Sequence, residues 1–489
     1  MCQCMSRRGF VAASLAGSGV LMGLGGAMAR RVQAGGAPGP RKGGTRIHTL
    51  YLGGPDPKWP SPTIDMGGEC RMYEAELQRL AKIWRHRDRA WDTPVEFTGG
   101  DLLRSGADFE SVRPKLTGAD GLLVFSLAIP DGGLTGKVLS LDLPMVFYLP
   151  SPSTASFIAV SNAARSGKRA DVVHSSDLED IAPHIRILDA MRRLKQTKVL
   201  LLSTRKPSKL AQYNPDKMTQ LFGVQFKEMN FDRLNQLTAS ADQREAERLT
   251  DEFLAAASDV KEPSRADMVQ SHKLYLAVRQ ILAEEAATVM TIDCLPGFYS
   301  GQLTAYPCVA WTRLMDEGLT GVCEADAQST MMSLILQSYT GKPGFVSDPF
   351  FDTSRNTITY AHCVAATRMD GPSGNSLPYI IRSHMEDDRG VSIQVKMPVG
   401  QVFTTAQLLN CDTVVYHTAK VVDNSDSHRG CRTKPVCKVI DPETGVELSA
   451  DRLLHQWQGP WHKVSWFGDY AADLEKISRL MGFKLVREV

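Results

Sequence analysis

The stretches GLLVFSLA at residues 121–128 and PMVFYL at 144–149 decide the fold of the first part of the chain. Both are continuous apolar runs, which are typical of strands covered on both faces in a parallel sheet. The elements around them are a strand at 47–52, an amphipathic helix at 71–85, and a helix that begins at a capping box of Ser176 with Glu179 and ends near residue 194. The pattern predicts an α/β domain over residues 46–196.

The alternation of short apolar strands and amphipathic helices then begins again. The predicted elements are strands at 198–203 and 289–294 and helices near 241–257, 265–286, 304–317 and 324–339. A second α/β domain is therefore expected over residues 197–345.

After Phe345 the sequence pattern changes: apolar residues recur at every second position, as in strands, and Gly, Pro, Asn and Asp turns separate these stretches. The predicted strands are 358–365, 379–384, 391–397, 413–422 and 436–440, with one final helix near 470–480. This pattern indicates a C-terminal β-rich domain, a sandwich or barrel, over residues 346–489. The fold class is thus α/β in the first two domains and β in the third.

The N-terminus has the layout of a twin-arginine signal peptide. Arg7 and Arg8 precede an apolar stretch rich in Ala, Gly and Leu, and small-residue cleavage signals follow. We expect a leader over residues 1–34 and a disordered tether over 35–45, which predicts export to the periplasm or the extracellular space. No other segment has about 18 uninterrupted apolar residues, so stable membrane insertion is not expected.

The composition excludes some classes of partner. The 489 residues carry a formal net charge of only +2 and no basic stripe outside the leader region, so nucleic-acid binding is not expected. Of the ten cysteines, two fall in the leader and none of the others forms a CxxC pair. Cys431 and Cys437 are close enough in sequence to join in an oxidising compartment, but a chain of this length needs no disulfide framework, and buried free thiols are the favoured interpretation.

Glycine-rich phosphate loops, HExxH and GxSxG motifs are missing from the sequence, so the candidates for chemistry are polar residues that interrupt apolar patterns. Glu324 follows a predicted strand, at the edge where open α/β sheets bind ligands. The structural alternative there is helix capping, for which Asp326 is the better residue type. Asp348 precedes Pro349, and this pair is also a common turn opener.

Two histidines complete the set of candidates. His362 and His462 both lie in predicted strands, where a histidine is more often a core residue than a ligand. Strand alternation places His362 and Cys363 on opposite faces, so we do not expect them to bind one ion together. Two carboxylates with histidine nitrogens form a hard donor set that suits Mn²⁺ or Mg²⁺ better than a thiophilic metal.

Several separated motifs follow one another in the second half of the chain: CEAD at 323–326, TGKPGFVSD at 340–348, NTI at 356–358 leading to AHC at 361–363, GCRT at 430–433, and WHKV at 461–464 followed by GD at 468–469. In this order they resemble the motifs of the L-fucose isomerases and, more distantly, the L-arabinose isomerases. The likeness covers about residues 294–489. It implies two Rossmann-like layers followed by a β-rich domain, a homo-oligomer such as a trimer or hexamer, and a metal-dependent aldose–ketose isomerase.

The resemblance also implies roles for individual residues. Glu324, Asp348 and His462 match the family's Mn²⁺ ligands, and His362 occupies the position of a further histidine ligand in the arabinose enzymes. Glu324 and Asp348 are the candidate proton-transfer pair, because positioned carboxylates can move a carbon-bound proton across an enediol.

Trp461 and Arg432 are candidate contacts to a small sugar substrate, such as a deoxy-sugar or pentose, and a structural role for Arg432 is the stronger alternative. Trp461 stands where some relatives have a second histidine, which is a departure from the family pattern. Two other functions fit the same residues. One is an exported carbohydrate-binding protein that keeps the fold without isomerisation, and the other is metal-assisted hydrolysis.

Overall fold

A computed structural model describes residues 43–55, 63–87, 94–128, 131–152, 156–205, 210 and 213–489. The predicted leader and the predicted tether, apart from residues 43–45, lie outside the described residues. Among the described residues, no helix is both long enough and apolar enough to cross a bilayer.

The strands, numbered in chain order, are β1 Thr45–Leu52, β2 Val95–Leu103, β3 Gly121–Ser126, β4 Met145–Pro150, β5 Ala170–Ser175, β6 Lys198–Leu202, β7 Gln225–Met229, β8 Asp259–Val260, β9 Val289–Ile292, β10 Thr320–Cys323, β11 Phe345–Asp352, β12 Thr357–Ala361, β13 Tyr379–Arg382, β14 Ser392–Val395, β15 Val402–Leu409, β16 Thr413–Asn424, β17 Pro435–Ile440, β18 Lys463–Phe467 and β19 Lys484–Arg487.

The α-helices are α1 Met66–Arg87, α2 Gly106–Val112, α3 Leu134–Leu139, α4 Phe157–Arg165, α5 Ala182–Lys195, α6 Pro215–Phe222, α7 Asp232–Ser240, α8 Gln243–Ala256, α9 Arg265–Glu284, α10 Cys294–Tyr299, α11 Cys308–Asp316, α12 Ala327–Thr340, α13 Ala450–Gln456 and α14 Ala471–Met481. Short 3-10 helices span Arg113–Leu116 and Leu178–Ile181.

The first sheet is five-stranded and parallel, in the order β2-β1-β3-β4-β5. The two apolar runs of the sequence form β3 and β4 in its middle, where every residue of β3 is buried. The prediction of a parallel sheet covered on both faces is therefore confirmed for this part of the chain.

One predicted local feature of this region is wrong. Ser176 and Glu179 do not form a capping box. Asp177 is the N-cap instead, and its carboxylate accepts a hydrogen bond from the Glu179 backbone N–H at 3.0 Å to begin the 3-10 helix. A carboxylate one residue later in the chain is an equally good cap, so it replaces the serine hydroxyl.

The second sheet is four-stranded and parallel, in the order β10-β9-β6-β7. Its carboxyl edge carries the end of β10, directly before Glu324. The two-residue strand β8 lies outside this sheet and pairs in parallel with β13 in a small sheet ordered β14-β13-β8.

The C-terminal region forms a closed antiparallel barrel of six strands, which agrees with the predicted β-rich architecture. Around the barrel the order is β15-β18-β11-β12-β17-β16, and β16 pairs again with β15 to close it. β19 adds to β16 in parallel. The strand order matters for the candidate site, because it places β18, β11 and β12 side by side.

The structural alternative for Asp348, a turn opened by Asp348 and Pro349, does not hold, because β11 continues through both residues to Asp352. Proline lacks a backbone N–H and is tolerated in a strand where no ladder bond is needed. Pairing with β18 ends at Ser347, so Pro349 faces only β12. Asp348 therefore lies within a barrel strand.

The barrel region also holds a fully buried charged cluster. The Glu488 carboxylate accepts hydrogen bonds from the Lys463 ammonium and, at 2.8 Å, from His417 Nδ1. Burial lowers the pKa of Lys463 to about 8, because desolvation of the ammonium outweighs the attraction of Glu488. The pKa of Glu488 is lowered to about 2: burial works against this shift, but His417 and Lys463 outweigh it.

Candidate metal centre

Glu324 lies at the carboxyl edge of the second sheet, one residue after β10. Its backbone is left-handed, with φ of 65°, and the next residue, Ala325, has φ of 51°. Two successive non-glycine residues in this region are strained, and such strain is found mainly at functional sites. The Glu324 side chain is 39% exposed, so its carboxylate is accessible to a ligand.

Asp326 has two structural roles. It is the N-cap of α12, where its Oδ1 accepts a hydrogen bond from the Ser329 backbone N–H at 2.9 Å, as the capping alternative for this motif predicts. Its Oδ2 also lies 2.9 Å from His462 Nδ1. A carboxylate can only accept, so Nδ1 is the protonated nitrogen and His462 Nε2 faces away from Asp326.

The barrel register explains why Asp348 and His462 meet. Ser347 of β11 is paired with Lys463 of β18 in an antiparallel ladder. One residue beyond this pair, Asp348 and His462 are therefore neighbours, and His462 Nε2 lies 3.3 Å from Asp348 Oδ1. The same nitrogen lies 3.8 Å from Glu324 Oε1, which comes from the second sheet.

His362 approaches from the other side of β11. It follows β12, whose last residue, Ala361, is paired with Asp348. Its ring centroid lies 5.4 Å from that of His462 at an interplanar angle of 74°. His362 Nδ1 is buried and has no hydrogen-bond partner among the residues that the structure describes. A buried polar atom without a partner is costly, so this nitrogen is free to bind a ligand.

The electrostatics of the cluster favour a cation. Burial works to lower the pKa of His462, but hydrogen bonds to Asp326 and Asp348 raise it well above its usual range. For Asp326, burial works to raise the pKa, and the bond to His462 lowers it overall. Three carboxylates thus surround one imidazole, an arrangement in which a metal ion can replace the proton on Nε2.

The donor set fits a hard divalent ion. Glu324, His362 and His462 each offer a ligand atom, and these atoms lie within 4.8 Å of one another. Asp348 joins the group through its contact with His462. A six-coordinate ion with bonds of about 2.1 Å spans about 4.2 Å between opposite ligands, so small side-chain adjustments bring these atoms to bonding distance. Oxygen and imidazole donors without a thiolate suit Mn²⁺ or Mg²⁺.

The two candidate substrate contacts lie in different surroundings. Trp461 is 65% exposed and directly precedes His462. Arg432 is buried, and its guanidinium donates to the Ser383 carbonyl at 2.8 Å and to Asp388 Oδ1 at 2.9 Å. These contacts agree with a structural role for Arg432, whose side chain holds the loop after β13 in place.

Sequence reasoning did not predict that Asp326 and Gln407 position His462. Asp326 was considered only as a helix cap, because its contact with His462 joins residues 136 positions apart in the chain. Gln407 donates to the His462 carbonyl and to Ser329 Oγ, both at 2.8 Å. Its signal was a glutamine in an otherwise apolar stretch, AQLL at 406–409.

All eight cysteines in the described part of the chain are free, including Cys431 and Cys437. The favoured prediction of free thiols for that pair is therefore confirmed. Comparison of the sequence with protein-family models finds no match, and comparison with curated proteins finds none either.

Proposed function

We propose that the protein is a metal-dependent aldose–ketose isomerase that acts on a deoxy-sugar or pentose through an enediol. The observation that carries the proposal is the convergence of Glu324, Asp348, His462 and His362. These residues come from a sheet edge and from three neighbouring barrel strands or their ends. They are also the residues on which the resemblance to L-fucose isomerases depends. On the same basis we interpret the two parallel sheets as Rossmann-like layers.

The four side chains would hold Mn²⁺ or Mg²⁺. When bound, such an ion supplies Lewis-acid stabilisation of the charge that develops on the sugar oxygens, worth several kcal/mol. The chain supplies the proton transfer. Isomerisation removes a proton from C2 of the aldose and returns one to C1, while the hydroxyl proton on O2 passes to O1.

Glu324 and Asp348 are suited to these proton transfers because both carboxylates lie close to His462 Nε2, at 3.8 Å and 3.3 Å. Glu324 is the more exposed, with 39% of its side chain accessible against 16% for Asp348, so it is the better placed to meet a substrate from solvent. A positioned acid–base pair contributes roughly 10² to 10⁴-fold to the rate. Asp326 acts through His462, whose tautomer it fixes.

Trp461 directly precedes His462 in the chain and its ring is exposed, which supports a contact with the sugar or with a neighbouring subunit. A homo-oligomer, such as a trimer or hexamer, belongs to the same proposal, as does export by the twin-arginine route to the periplasm or beyond. Because that route carries folded proteins, a metal bound in the cytoplasm could be exported in place.

The test is isomerisation by the purified protein, stripped of metal and reloaded with Mn²⁺, on a panel of deoxy-sugars and pentoses. We expect ketose formation by the wild type and by the control Glu443→Gln, which alters an exposed carboxylate in a turn. Glu324→Gln should reduce the rate by at least about 100-fold without lowering the melting temperature of the metal-free protein.

Two results would contradict the proposal. If the panel yields no ketose but sugars raise the melting temperature, the protein is a carbohydrate-binding protein with this fold. If neither metal nor sugar changes the melting temperature, the centre is a structural cluster of paired charges.

A further inference from the structure

A second cluster of ligand-type side chains lies close to the first. Cys363, His384 and Glu386 each offer one ligand atom, and these atoms lie within 4.8 Å of one another. Cys363 and His384 are buried, at 2% and 6% exposure, whereas the Glu386 side chain is 40% exposed. Two members of the cluster are therefore buried, and the third reaches solvent.

The fold separates this cluster from the hard-metal centre. Cys363 directly follows His362, yet the two side chains belong to different groups of ligand atoms, as strand alternation predicts. His384 and Glu386 lie in the loop after β13, a strand of the small sheet β14-β13-β8 and not of the barrel. Adjacent residues of one chain thus serve two separate clusters.

The loop that carries His384 and Glu386 is held in place. The Arg432 guanidinium bonds the Ser383 carbonyl and Asp388 Oδ1, which are at the two ends of the loop. The His384 ring stacks on Tyr306 at a centroid distance of 3.9 Å and an interplanar angle of 10°. Such support orients ligands before an ion arrives.

The surroundings are rich in sulfur. The thiols of Cys308 and Cys363 both interact electrostatically with His384, and the Cys431 thiol interacts with Cys363. Cys431 Sγ lies 4.0 Å from Asp348 Oδ2, so it stands between the two clusters. Thiolate and imidazole donors select thiophilic ions, in contrast to the oxygen-rich set around Glu324.

We propose that Cys363, His384 and Glu386 form a zinc site, distinct from the Mn²⁺ or Mg²⁺ centre. One thiolate, one neutral imidazole and one carboxylate balance the two charges of Zn²⁺, so the bound ion leaves no net charge in the buried pocket. Cysteine, histidine and glutamate are all established types of zinc ligand. The proposal does not rest on the isomerase activity.

The test uses the full chain, reduced and stripped with a chelator, and titrated with Co²⁺ as a spectroscopic substitute for Zn²⁺. Thiolate ligation gives an intense near-ultraviolet charge-transfer band that a centre of oxygen and nitrogen ligands cannot produce. We expect this band in the wild type and in the control Cys437→Ser, which alters a buried cysteine of β17 that belongs to neither group of ligand atoms. Cys363→Ser should abolish it.

Glu386→Gln provides a second variant, because the exposed side chain makes misfolding a minor concern. We expect its Zn²⁺ affinity, measured by competition with a chromophoric chelator, to fall roughly tenfold or more. The reason is that losing a direct ligand should cost at least as much affinity as losing an outer-shell contact. The absence of a charge-transfer band in the folded wild type would overturn the proposal. So would an unchanged Zn²⁺ affinity in Glu386→Gln. Neither result depends on whether Mn²⁺ supports isomerisation.

Discussion

Asp326 links the stability of α12 to the orientation of His462, and the substitution Asp326→Asn separates the two roles. Asparagine is as good an N-cap as aspartate, so its carbonyl oxygen should keep the bond to the Ser329 N–H. Its amide nitrogen then faces His462 Nδ1, which must become the acceptor. The imidazole proton moves to Nε2, the nitrogen that lies 3.3 Å from Asp348 and 3.8 Å from Glu324.

The magnitude follows from that change of tautomer. A protonated Nε2 has no lone pair for a metal, so the substitution should weaken Mn²⁺ binding by roughly 10- to 100-fold, the usual effect of losing an outer-shell carboxylate. This corresponds to about 1.4 to 2.7 kcal/mol of binding free energy. Isothermal titration of the stripped protein with Mn²⁺ measures the affinity, and thermal unfolding of the same samples measures the stability.

Ser329→Ala is the matched control. It removes the hydroxyl that donates to Asp326 Oδ2 at 2.6 Å and accepts from Gln407, but it leaves the bond between Asp326 and His462. We expect it to lower stability by about 1 kcal/mol with little change in Mn²⁺ affinity. If Asp326→Asn binds Mn²⁺ within about twofold of the wild type, or if both variants lose affinity equally, the assignment of Asp326 as a positioning residue is wrong.

Three other substitutions test separate parts of the structure. Glu324→Gly relieves a left-handed backbone that costs a non-glycine residue roughly 1–2 kcal/mol. In urea denaturation without metal it should therefore be about 1 kcal/mol more stable than Glu324→Gln, although neither variant should bind Mn²⁺ normally. A more stable Glu324→Gln would contradict this. Glu488→Gln leaves the buried Lys463 ammonium without its countercharge and should cost about 3 kcal/mol of unfolding free energy at pH 7. The Glu488 carboxyl has a pKa of about 2 in the folded protein and near 4.5 in the unfolded chain, so its stabilisation is complete above pH 4.5 and is lost as the pH falls toward 2. Denaturation curves should therefore show the difference in unfolding free energy between wild type and Glu488→Gln narrowing over that range. A constant difference would refute the reasoning. Trp461→Ala removes a 65% exposed ring, so it should change the unfolding free energy by no more than about 0.5 kcal/mol. It should raise the KM for the sugar, and an unchanged KM would exclude Trp461 as a substrate contact.

The parts of the fold that sequence reasoning predicted are those where one simple pattern dominates. β3 and β4 are unbroken apolar runs, and their burial on both faces follows directly from that pattern. β15 was missed because its buried positions include Thr404, Thr405 and Gln407. These polar groups are satisfied by partners distant in sequence, such as Ser465 for Thr405, so no local pattern indicates their burial.

The candidate centre was predictable as a set of residue types but not as a geometry. Glu324, Asp348 and His462 could be named from motifs and resemblance. The bond between Asp326 and His462 could not, because it depends on how the second sheet meets the barrel. His384 was noted only as the end of a predicted strand, and the loop that brings it near Cys363 is fixed by Arg432, a residue much further along the chain.

The closed barrel also determines when the centre can exist during folding. Glu324, Asp348 and His362 come from one stretch of the chain, whereas His462 comes much later and directly precedes β18, the last strand to enter the barrel in sequence order. Contacts of such long sequence separation form late, because the entropy of closing the intervening loop must be overcome first. A nascent or partly folded chain therefore lacks the complete set of donors, and tight binding of an ion by all four would mark a chain whose folding is finished.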